Sequence, residues 1–215
     1  MPVPPKLYRS LRVANTLVFG VAMALLLDHS AAAARGPLLD TPHWPTGQRD
    51  LVIVDRTGDA GWQQATRHAV EVWQEALVGS DLRISWEKGD GECAPDGTRV
   101  SICESSQSGL GEFHNQDREG VANVAFGRGH SMGAVIMVCG DCDFGQARGR
   151  VVAAHEIGHA LGLTHALRPT SVMYPTGSGD GPDRLDVAQL RQMYDHIDGT
   201  DRCALFNLRW GGFCV

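Results

Sequence analysis

The chain has 215 residues, of which 43% are hydrophobic and 20% are charged, and its formal net charge at neutral pH is −6. This length suits one domain with a sizeable hydrophobic core, or two small domains. The negative charge argues against nucleic acid or an anionic membrane surface as a partner, because both attract basic proteins.

Residues 1–34 have the three-part pattern of a secretory signal peptide. Three basic residues precede an apolar run from Val13 to Leu27, and four alanines follow at 31–34. The run is shorter than the roughly 20 residues that a transmembrane helix needs, although an uncleaved membrane anchor remains an alternative. Without residues 1–34 the chain carries 16 basic and 24 acidic residues, a net charge of −8. We therefore expect an exported protein, either secreted or periplasmic.

Six cysteines follow the predicted signal peptide, and an even number in an exported chain indicates disulfides. Proximity along the chain favours the pairs Cys93–Cys103, Cys139–Cys142 and Cys203–Cys214. The sequence "CGDC" at 139–142 leaves a redox pair or half of a zinc knuckle open as alternatives.

Hydrophobic spacing predicts the elements after a polar, proline-containing lead-in at 35–50, and we expect one domain over 51–215. In chain order these are a strand at 51–55, a helix near 61–79, strands at 82–87, 98–103, 121–127 and 134–139, a helix from about Gln146 to Leu161, and a last helix at 185–197. Asp186 is the predicted N-cap of the last helix, with Gln189 as its capping-box partner. The tail at 203–214 is predicted to be a small strand or hairpin closed by a disulfide.

The stretch "AAHEIGHALGLTH", Ala153 to His165, concentrates the candidate metal ligands. His155 and His159 lie four residues apart on one helix face, so that their imidazoles can bind one zinc ion. His165 cannot lie on the same straight helix, but Gly162 can end the helix and turn the chain sharply. Three imidazoles leave a fourth zinc position open, which is typical of catalytic sites. Glu156 is a candidate general base for water at such a site.

An isolated H-E-x-x-H occurs by chance in many helices, so the neighbouring features matter. Here the third histidine, the glycine and a following "SVMYP", with Met173 eight residues after His165, occur together. The set resembles the metzincin signature H-E-x-x-H-x-x-G-x-x-H with its Met-turn. Among metzincins, "VVAAHEIGHALGLTH", "VMYP" and "LDVAQLRQMY" are most similar to the matrixins, the group that resembles matrix metalloproteinases.

This resemblance implies an α+β fold. It consists of a five-stranded mixed sheet with two packed helices, an active-site cleft, and a small C-terminal subdomain that holds a third helix. It implies that His155, His159 and His165 bind one catalytic Zn²⁺ and that Glu156 is the general base. Gly162 then corresponds to the turn glycine, and Met173 to the apolar floor under the metal.

The resemblance also suggests where a peptide substrate would bind. Val151, four residues before the first zinc histidine, corresponds to the wall of the pocket for the side chain after the scissile bond. The rest of that pocket is assigned to Tyr174, Pro175 and Thr176, so we expect an apolar pocket. The edge strand that would pair with substrate comprises Val121, Ala122, Asn123, Val124, Ala125 and Phe126.

Some features depart from the family pattern. Only about sixteen residues separate the predicted signal from the first strand, so latency through a pro-segment cysteine is not expected. Matrixins usually carry a second zinc and calcium ions in the loop before the edge strand. Here that loop offers His114, Asp117 and Glu119, with His130 further on, and this set does not define a structural metal site. The simplest interpretation is that His114 and His130 are surface residues.

The function that these observations favour is an exported zinc endopeptidase, acting as a monomer on polypeptides, without nucleic acid and without a membrane role beyond export. A non-catalytic zinc-binding or adhesion module on the same fold is the alternative, and a zinc-dependent amidase is a third hypothesis. Glu156 argues against the module, because zinc binding alone needs no carboxylate there. The edge strand at 121–126 favours an endopeptidase over an amidase.

Overall fold

The computed structural model describes residues 42–106, 119–143, 145–177, 179, 181–195 and 198. The predicted signal peptide, the tip of the loop at 107–118 that includes His114 and Asp117, and the tail with Cys203 and Cys214 lie outside the described residues. The elements are β1 (Asp50–Asp55), α1 (Ala60–Ala76), β2 (Arg83–Lys88), β3 (Arg99–Ser105), β4 (Gly120–Gly127), β5 (His130–Cys139), α2 (Gln146–Ala160) and α3 (Arg184–Tyr194). Over the described ranges, no helix combines the length and apolarity needed to cross a membrane.

The five strands form one mixed sheet in the order β2-β1-β3-β5-β4. The pairs β1–β2, β1–β3 and β3–β5 are parallel, whereas β4 is antiparallel to β5. Parallel neighbours require crossover connections, and α1 supplies the first of them between β1 and β2. The predicted α+β class with a five-stranded mixed sheet is therefore confirmed, and β4 lies at an edge of the sheet.

The hairpin between β4 and β5 differs from the predicted boundaries. β5 begins at His130, four residues before the predicted start, because Arg128 and Gly129 form a tight turn with φ values of 54° and 80°. Two consecutive residues with positive φ are typical of the two-residue turns that connect twisted antiparallel strands. The predicted strands ended at 127 and began again at 134, and the turn is shorter than that interval because β5 extends back to His130.

Three buried tryptophans connect the helices to the rest of the core. The indole N–H of Trp73 on α1 donates to Ala154 O, and that of Trp44 in the lead-in donates to Ala160 O, both on α2. Trp62 on α1 donates to Cys139 O at the end of β5. Each tryptophan thus contributes a large apolar area without leaving a buried donor unsatisfied. The result is a helix α2 that is held along its length by the lead-in and by α1.

Two disulfides lie among the described residues, Cys93–Cys103 and Cys139–Cys142. They are the two pairs that proximity along the chain favoured, and no free cysteine occurs in the described ranges. The first joins the segment before β3 to that strand, and the second closes the turn after β5. Since all four sulfurs are paired, "CGDC" is neither a reduced redox pair nor a zinc knuckle in this structure.

The N-cap predicted for the last helix was wrong. Asp183, not Asp186, caps α3: its carboxylate accepts from the backbone N–H groups of Leu185 and Asp186, at 2.7 and 2.9 Å. Asp186 is the N3 residue of the same capping box, and its carboxylate accepts from Asp183 N at 3.0 Å. The pattern Asp-x-x-Asp allowed either assignment. Asp186 is buried because it faces the chain segment before the helix, which the sequence pattern alone does not reveal.

We predict that Asp183→Ala lowers the free energy of unfolding by about 0.5–2 kcal/mol at neutral pH, the usual effect of deleting an N-cap. Burial raises the pKa of Asp183, but hydrogen bonds from Arg168 and the backbone outweigh it, so the folded-state pKa is lowered. The stabilisation is therefore present above the unfolded pKa of about 3.9 and is lost as the pH falls through the lower folded-state pKa.

Urea denaturation at several pH values from about 7 to 3 measures this difference. The control is Asp90→Ala, because Asp90 is an exposed aspartate after β2; its change should stay within about 0.5 kcal/mol. A difference between wild type and Asp183→Ala that stays constant or grows towards pH 3 contradicts the assignment.

Candidate metal centre and active site

Helix α2 presents two of the three motif histidines and then ends in a turn that redirects the third. Gly162 has φ of 101°, and Leu163 N donates to Gly158 O at 3.0 Å while Gly162 N donates to His159 O at 2.9 Å. This pair of bonds is a Schellman motif, which requires the left-handed backbone that glycine tolerates. The turn returns the chain so that His165 lies beside the helix instead of beyond its end.

The three imidazoles converge. The ring centroids of His155, His159 and His165 are separated by 4.7, 5.2 and 4.9 Å, and one nitrogen from each lies within 4.8 Å of the others. His155 is buried, His159 is partly exposed and His165 is exposed. Exposure in the cluster therefore increases from the helix residue His155 to His165 after the turn.

Backbone carbonyls determine which nitrogen of each ring is available. Nδ1 of His155 lies 2.6 Å from Val172 O, and Nδ1 of His159 lies 2.7 Å from Leu163 O. A carbonyl only accepts, so each Nδ1 carries the hydrogen and each Nε2 keeps its lone pair. Burial lowers the pKa of His155, which favours the neutral ring although the Val172 carbonyl opposes the effect.

The two lone pairs face each other, since Nε2 of His159 is 3.1 Å from Nε2 of His155. Two lone pairs at that distance repel unless a proton or a metal ion lies between them. Tetrahedral zinc, with bonds of about 2.0–2.1 Å, places two nitrogens about 3.3 Å apart. The donor set of three neutral imidazoles with fixed tautomers thus fits a zinc ion.

Met173 packs against helix α2 at Gly158. A Cβ on Gly158, which lies between the two histidines of α2, would overlap Met173 Sδ and come within 3.1 Å of Trp73 Cζ2. Met173 is buried, and its carbonyl accepts from Ala166 N at 2.8 Å, one residue after His165. Because Gly158 has no side chain, the methionine that was predicted to form the floor of the site packs directly against helix α2.

Sequence reasoning missed the residues that hold this turn. Ser171 Oγ accepts from Met173 N at 2.9 Å and donates to the buried Asp186 carboxylate of α3 at 2.7 Å. Arg168 donates to the same carboxylate at 3.0 Å. Asp186 thereby connects the last helix to the Met-turn, and its charge is compensated by the guanidinium. The sequence placed Asp186 at the start of the last helix, but as its N-cap, and gave no sign of its contact with the Met-turn.

Glu156 follows His155 on α2 and is 6% exposed. It packs against the first residue of β4: a Cβ on Gly120 would lie 2.9 Å from Glu156 Cγ and 3.1 Å from Oε1. Val152 Cγ1 would be equally close, at 2.9 Å. Gly120 therefore leaves the room that the glutamate side chain occupies, a role that no sequence pattern indicated.

Among the residues assigned to the substrate pocket, Val151 contacts the loop that follows Met173. Val151 is half-buried on α2, and a Cβ on Gly177 would lie 2.6 Å from its Cγ1, so the loop after Met173 does pack against it. Tyr174 is half-buried, while Pro175 and Thr176 are exposed. The structure adds a charged neighbour that the sequence analysis did not include. Arg148 Nη1 donates to Gly177 O at 3.3 Å.

Arg148 is also paired with an acid. Its Nε lies 2.9 and 2.7 Å from the two oxygens of Glu119, and its Nη2 donates to the same carboxylate. Glu119 precedes β4, so the pair joins α2 to the edge strand. The charge of Glu119 is therefore compensated by the guanidinium of Arg148.

The predicted substrate strand at 121–126 lies within β4 at the sheet edge. Ala122 and Val124 pack against the core, whereas the alternating residues Asn123 and Ala125 are exposed, as is Phe126. An irregularity in the register follows at Ala125/Phe126.

Comparison with known proteins identifies the family. The sequence model described as Matrixin matches residues 54–195. Matrilysin of Rattus norvegicus is 28% identical over 175 residues, covering 72% of this chain and 60% of matrilysin. Matrix metalloproteinase-20 of Homo sapiens is 33% identical over 152 residues, covering 61% of this chain and 27% of that protein. The metalloendoproteinase 5-MMP of Arabidopsis thaliana is 29% identical over 175 residues, covering 74% and 44%. The chain thus spans less than two thirds of each of these relatives.

Solved structures are similar at low sequence identity. Myroilysin is 10% identical with a TM-score of 0.45, covering 72% of this chain and 96% of that protein. Archaemetzincin from Methanopyrus kandleri is 14% identical with a TM-score of 0.43, covering 71% and 99%. The family match itself covers well over half of the chain and includes the histidine motif, the Met-turn and the last helix, so the chain belongs to the matrixin family of zinc metallopeptidases.

Proposed function

We propose that this chain is a zinc-dependent endopeptidase in which His155, His159 and His165 bind one catalytic zinc ion and Glu156 is the general base. The observation that carries the proposal is the pair of facing Nε2 lone pairs on His155 and His159, 3.1 Å apart. Their Nδ1 atoms are already committed to backbone carbonyls. A shared proton or a metal ion removes the repulsion between the facing Nε2 lone pairs, and family membership favours zinc.

A zinc ion at this position supplies Lewis acidity that polarises a peptide carbonyl and makes water more acidic. Glu156 is the proton carrier in this mechanism. Its carboxylate accepts a proton from the attacking water and passes it to the nitrogen of the leaving amine. Because the side chain is 6% exposed, bulk water does not compete strongly for that proton. The neutral state of His155, favoured by burial, keeps its Nε2 available.

The edge strand supports an extended polypeptide as the substrate. β4 is the last strand on its side of the described sheet, so the backbone groups directed away from β5 are able to pair with an added strand. Main-chain pairing of this type positions several residues on either side of the scissile bond. It therefore favours endopeptidase activity over the amidase hypothesis.

The pocket residues support a preference for an apolar side chain immediately after the scissile bond. Val151 and Gly177 pack together, and the nearby Arg148 guanidinium is neutralised by Glu119. Burying a leucine-sized side chain there is worth about 1.5–3 kcal/mol, enough to set a preference. We propose cleavage before Leu, Met, Ile or Phe and poor cleavage before Asp, Glu or Lys.

Export is part of the proposal and rests on the basic, apolar and small-residue pattern of residues 1–34. Secretion and a periplasmic location agree equally with that pattern, and an uncleaved anchor is the alternative. A non-catalytic zinc-binding module remains the second candidate function. It predicts zinc binding without hydrolysis.

Incubation of the purified chain with a denatured protein, with and without a chelator, tests the proposal directly. We expect fragments only in the zinc-containing sample, and sequencing of the new N-termini should show internal cuts preceding apolar residues. Zinc binding without any cleavage would support the module instead, and release of single terminal residues would exclude an endopeptidase.

We predict that Glu156→Gln retains zinc and lowers kcat by roughly 10²- to 10⁴-fold, the usual contribution of a general base. The amide preserves the shape of the side chain but cannot accept a proton. Hydrolysis of a fluorogenic peptide and metal analysis measure the two quantities. Glu75→Gln, an exposed glutamate on α1, is the matched control and should hydrolyse like the wild type. Wild-type activity in Glu156→Gln would show that another group is the base.

Gly120→Ala should lower kcat by roughly 10- to 100-fold with little change in zinc content, because the added Cβ displaces Glu156. The control is Gly133→Ala in β5, whose Cβ would approach Pro95 Cβ to the same 2.9 Å away from the site. Both variants are expected to lose some stability, and only the first should lose turnover. Equal losses of kcat would reduce Gly120 to a packing residue.

Val151→Arg should shift cleavage towards smaller residues after the scissile bond, because the longer side chain fills the pocket. Profiling with a peptide library measures the shift, and Val78→Arg, an exposed valine after α1, is the control. An unchanged profile removes Val151 from the pocket. A wild-type preference for charged residues overturns the apolar pocket itself.

A further inference from the structure

Two histidines and one aspartate from three distant parts of the chain meet away from the motif. His43 belongs to the lead-in, His130 begins β5, and Asp198 follows α3. Nε2 of His43 lies 3.3 Å from Asp198 Oδ1, and Nε2 of His130 lies 3.1 Å from the same oxygen. One ligand atom from each residue lies within 4.8 Å of the others. Three groups of metal-ligand type thus converge on one point.

The surrounding contacts hold each member in place. Ser131 N donates to His43 O at 2.7 Å, which joins the lead-in to β5. The His43 ring is 5% exposed and packs edge-on against Tyr194, with centroids 5.9 Å apart. Asp198 N donates to Thr46 Oγ1 at 2.9 Å, and Thr46 N donates to Asp198 Oδ2. The carboxylate is therefore oriented with Oδ2 towards the lead-in and Oδ1 towards both imidazoles.

We propose that His43, His130 and Asp198 form a second transition-metal site, selective for Zn²⁺ and related ions such as Co²⁺. Two imidazole nitrogens and one carboxylate oxygen are a donor set that suits these ions, and water completes a tetrahedral shell. In the metal-free chain both Nε2–H groups donate to Asp198 Oδ1. When the ion binds, each ring moves its hydrogen to Nδ1 and turns the Nε2 lone pair towards the metal. No other co-reactant is needed.

This site differs from the motif cluster and from the metal-bearing loop that the family resemblance implies. That loop precedes β4, and its one described acid, Glu119, is paired with Arg148. The new ligands come from the lead-in, from the strand after β4 and from the segment after α3. His130, expected from the sequence to be a simple surface residue, is only one-third exposed at its side chain and contacts both other members.

An ion bound at this site would also affect the turn that ends helix α2. Trp44, next to His43, donates its indole N–H to Ala160 O at 2.8 Å, and Tyr194 Oη donates to Leu161 O at 2.9 Å. Pro42 O approaches Gly162 so closely that a Cβ there would lie 2.8 Å away. A metal ion on His43 therefore fastens the lead-in over the turn that presents His165.

Metal counting on the full, untagged chain tests the site. The protein is stripped with a chelator, loaded with excess zinc, freed of unbound metal, and analysed by inductively coupled plasma mass spectrometry. We expect two zinc ions per chain in the wild type and one in His130→Gln and in Asp198→Asn. Both substitutions retain hydrogen-bonding groups between the partners and remove a metal ligand. Asp198→Asn also removes the charge that pairs with Arg49 at 3.6 Å, so His130→Gln is the variant that leaves this ion pair intact. His68→Gln, a half-buried histidine on α1, is the matched control and should keep two.

A second measurement follows thermal unfolding during zinc titration. The wild-type Tm should rise between the first and second equivalents, because the ion binds the folded state, and the Tm of His130→Gln should not. His165→Gln tests the motif site independently. It should bind one ion, and the double variant with His130→Gln should bind none, so that failure of one site is distinguishable from failure of the other. Equal zinc counts in the wild type, His130→Gln and Asp198→Asn would overturn the second site, whatever the motif binds.

Discussion

Two hydrogen bonds, from Nδ1 of His155 to Val172 O and from Nδ1 of His159 to Leu163 O, are the constraint on which the rest of the site depends. They fix both tautomers, so that the two Nε2 atoms face one another 3.1 Å apart. Neither carbonyl belongs to the helix that carries the histidines. One comes from the Met-turn and the other from the turn after Gly162, so both turns must be in place before the ligands are oriented.

The packing around these turns is arranged to satisfy that requirement. Gly158 lets Met173 approach α2 closely, and Trp73 covers the same point from α1 while donating to Ala154 O. Ser171 connects the backbone of Met173 to the buried carboxylate of Asp186. Because an uncompensated buried charge is costly, the guanidinium of Arg168 beside Asp186 is a necessary part of this connection. The last helix is thus connected, through a carboxylate and a hydroxyl, to the turn whose Val172 carbonyl contacts His155.

The range of each pattern along the chain explains which features of the fold and of the site could be predicted from the sequence. The spacing of His155, His159 and Gly162 reports local geometry, because helical periodicity and a left-handed glycine are properties of a few consecutive residues. The helices, the five strands and the family fold follow from patterns of similar range. Errors arose where two local solutions were equally good, as with Asp183 and Asp186, or where a two-residue turn lacked a familiar composition, as at Arg128.

By itself the sequence determined the candidate ligands, the candidate base and the family, because these depend on residue identity and short spacing. Only the tertiary structure decided that Gly120 makes room for Glu156, that Arg148 pairs with Glu119 beside Val151, and that Asp186 holds the Met-turn. It also brought His43 and Asp198 together across 155 positions of the chain. Contacts between distant segments depend on how the sheet and helices pack, and packing is the sum of many weak interactions that no single stretch of sequence encodes.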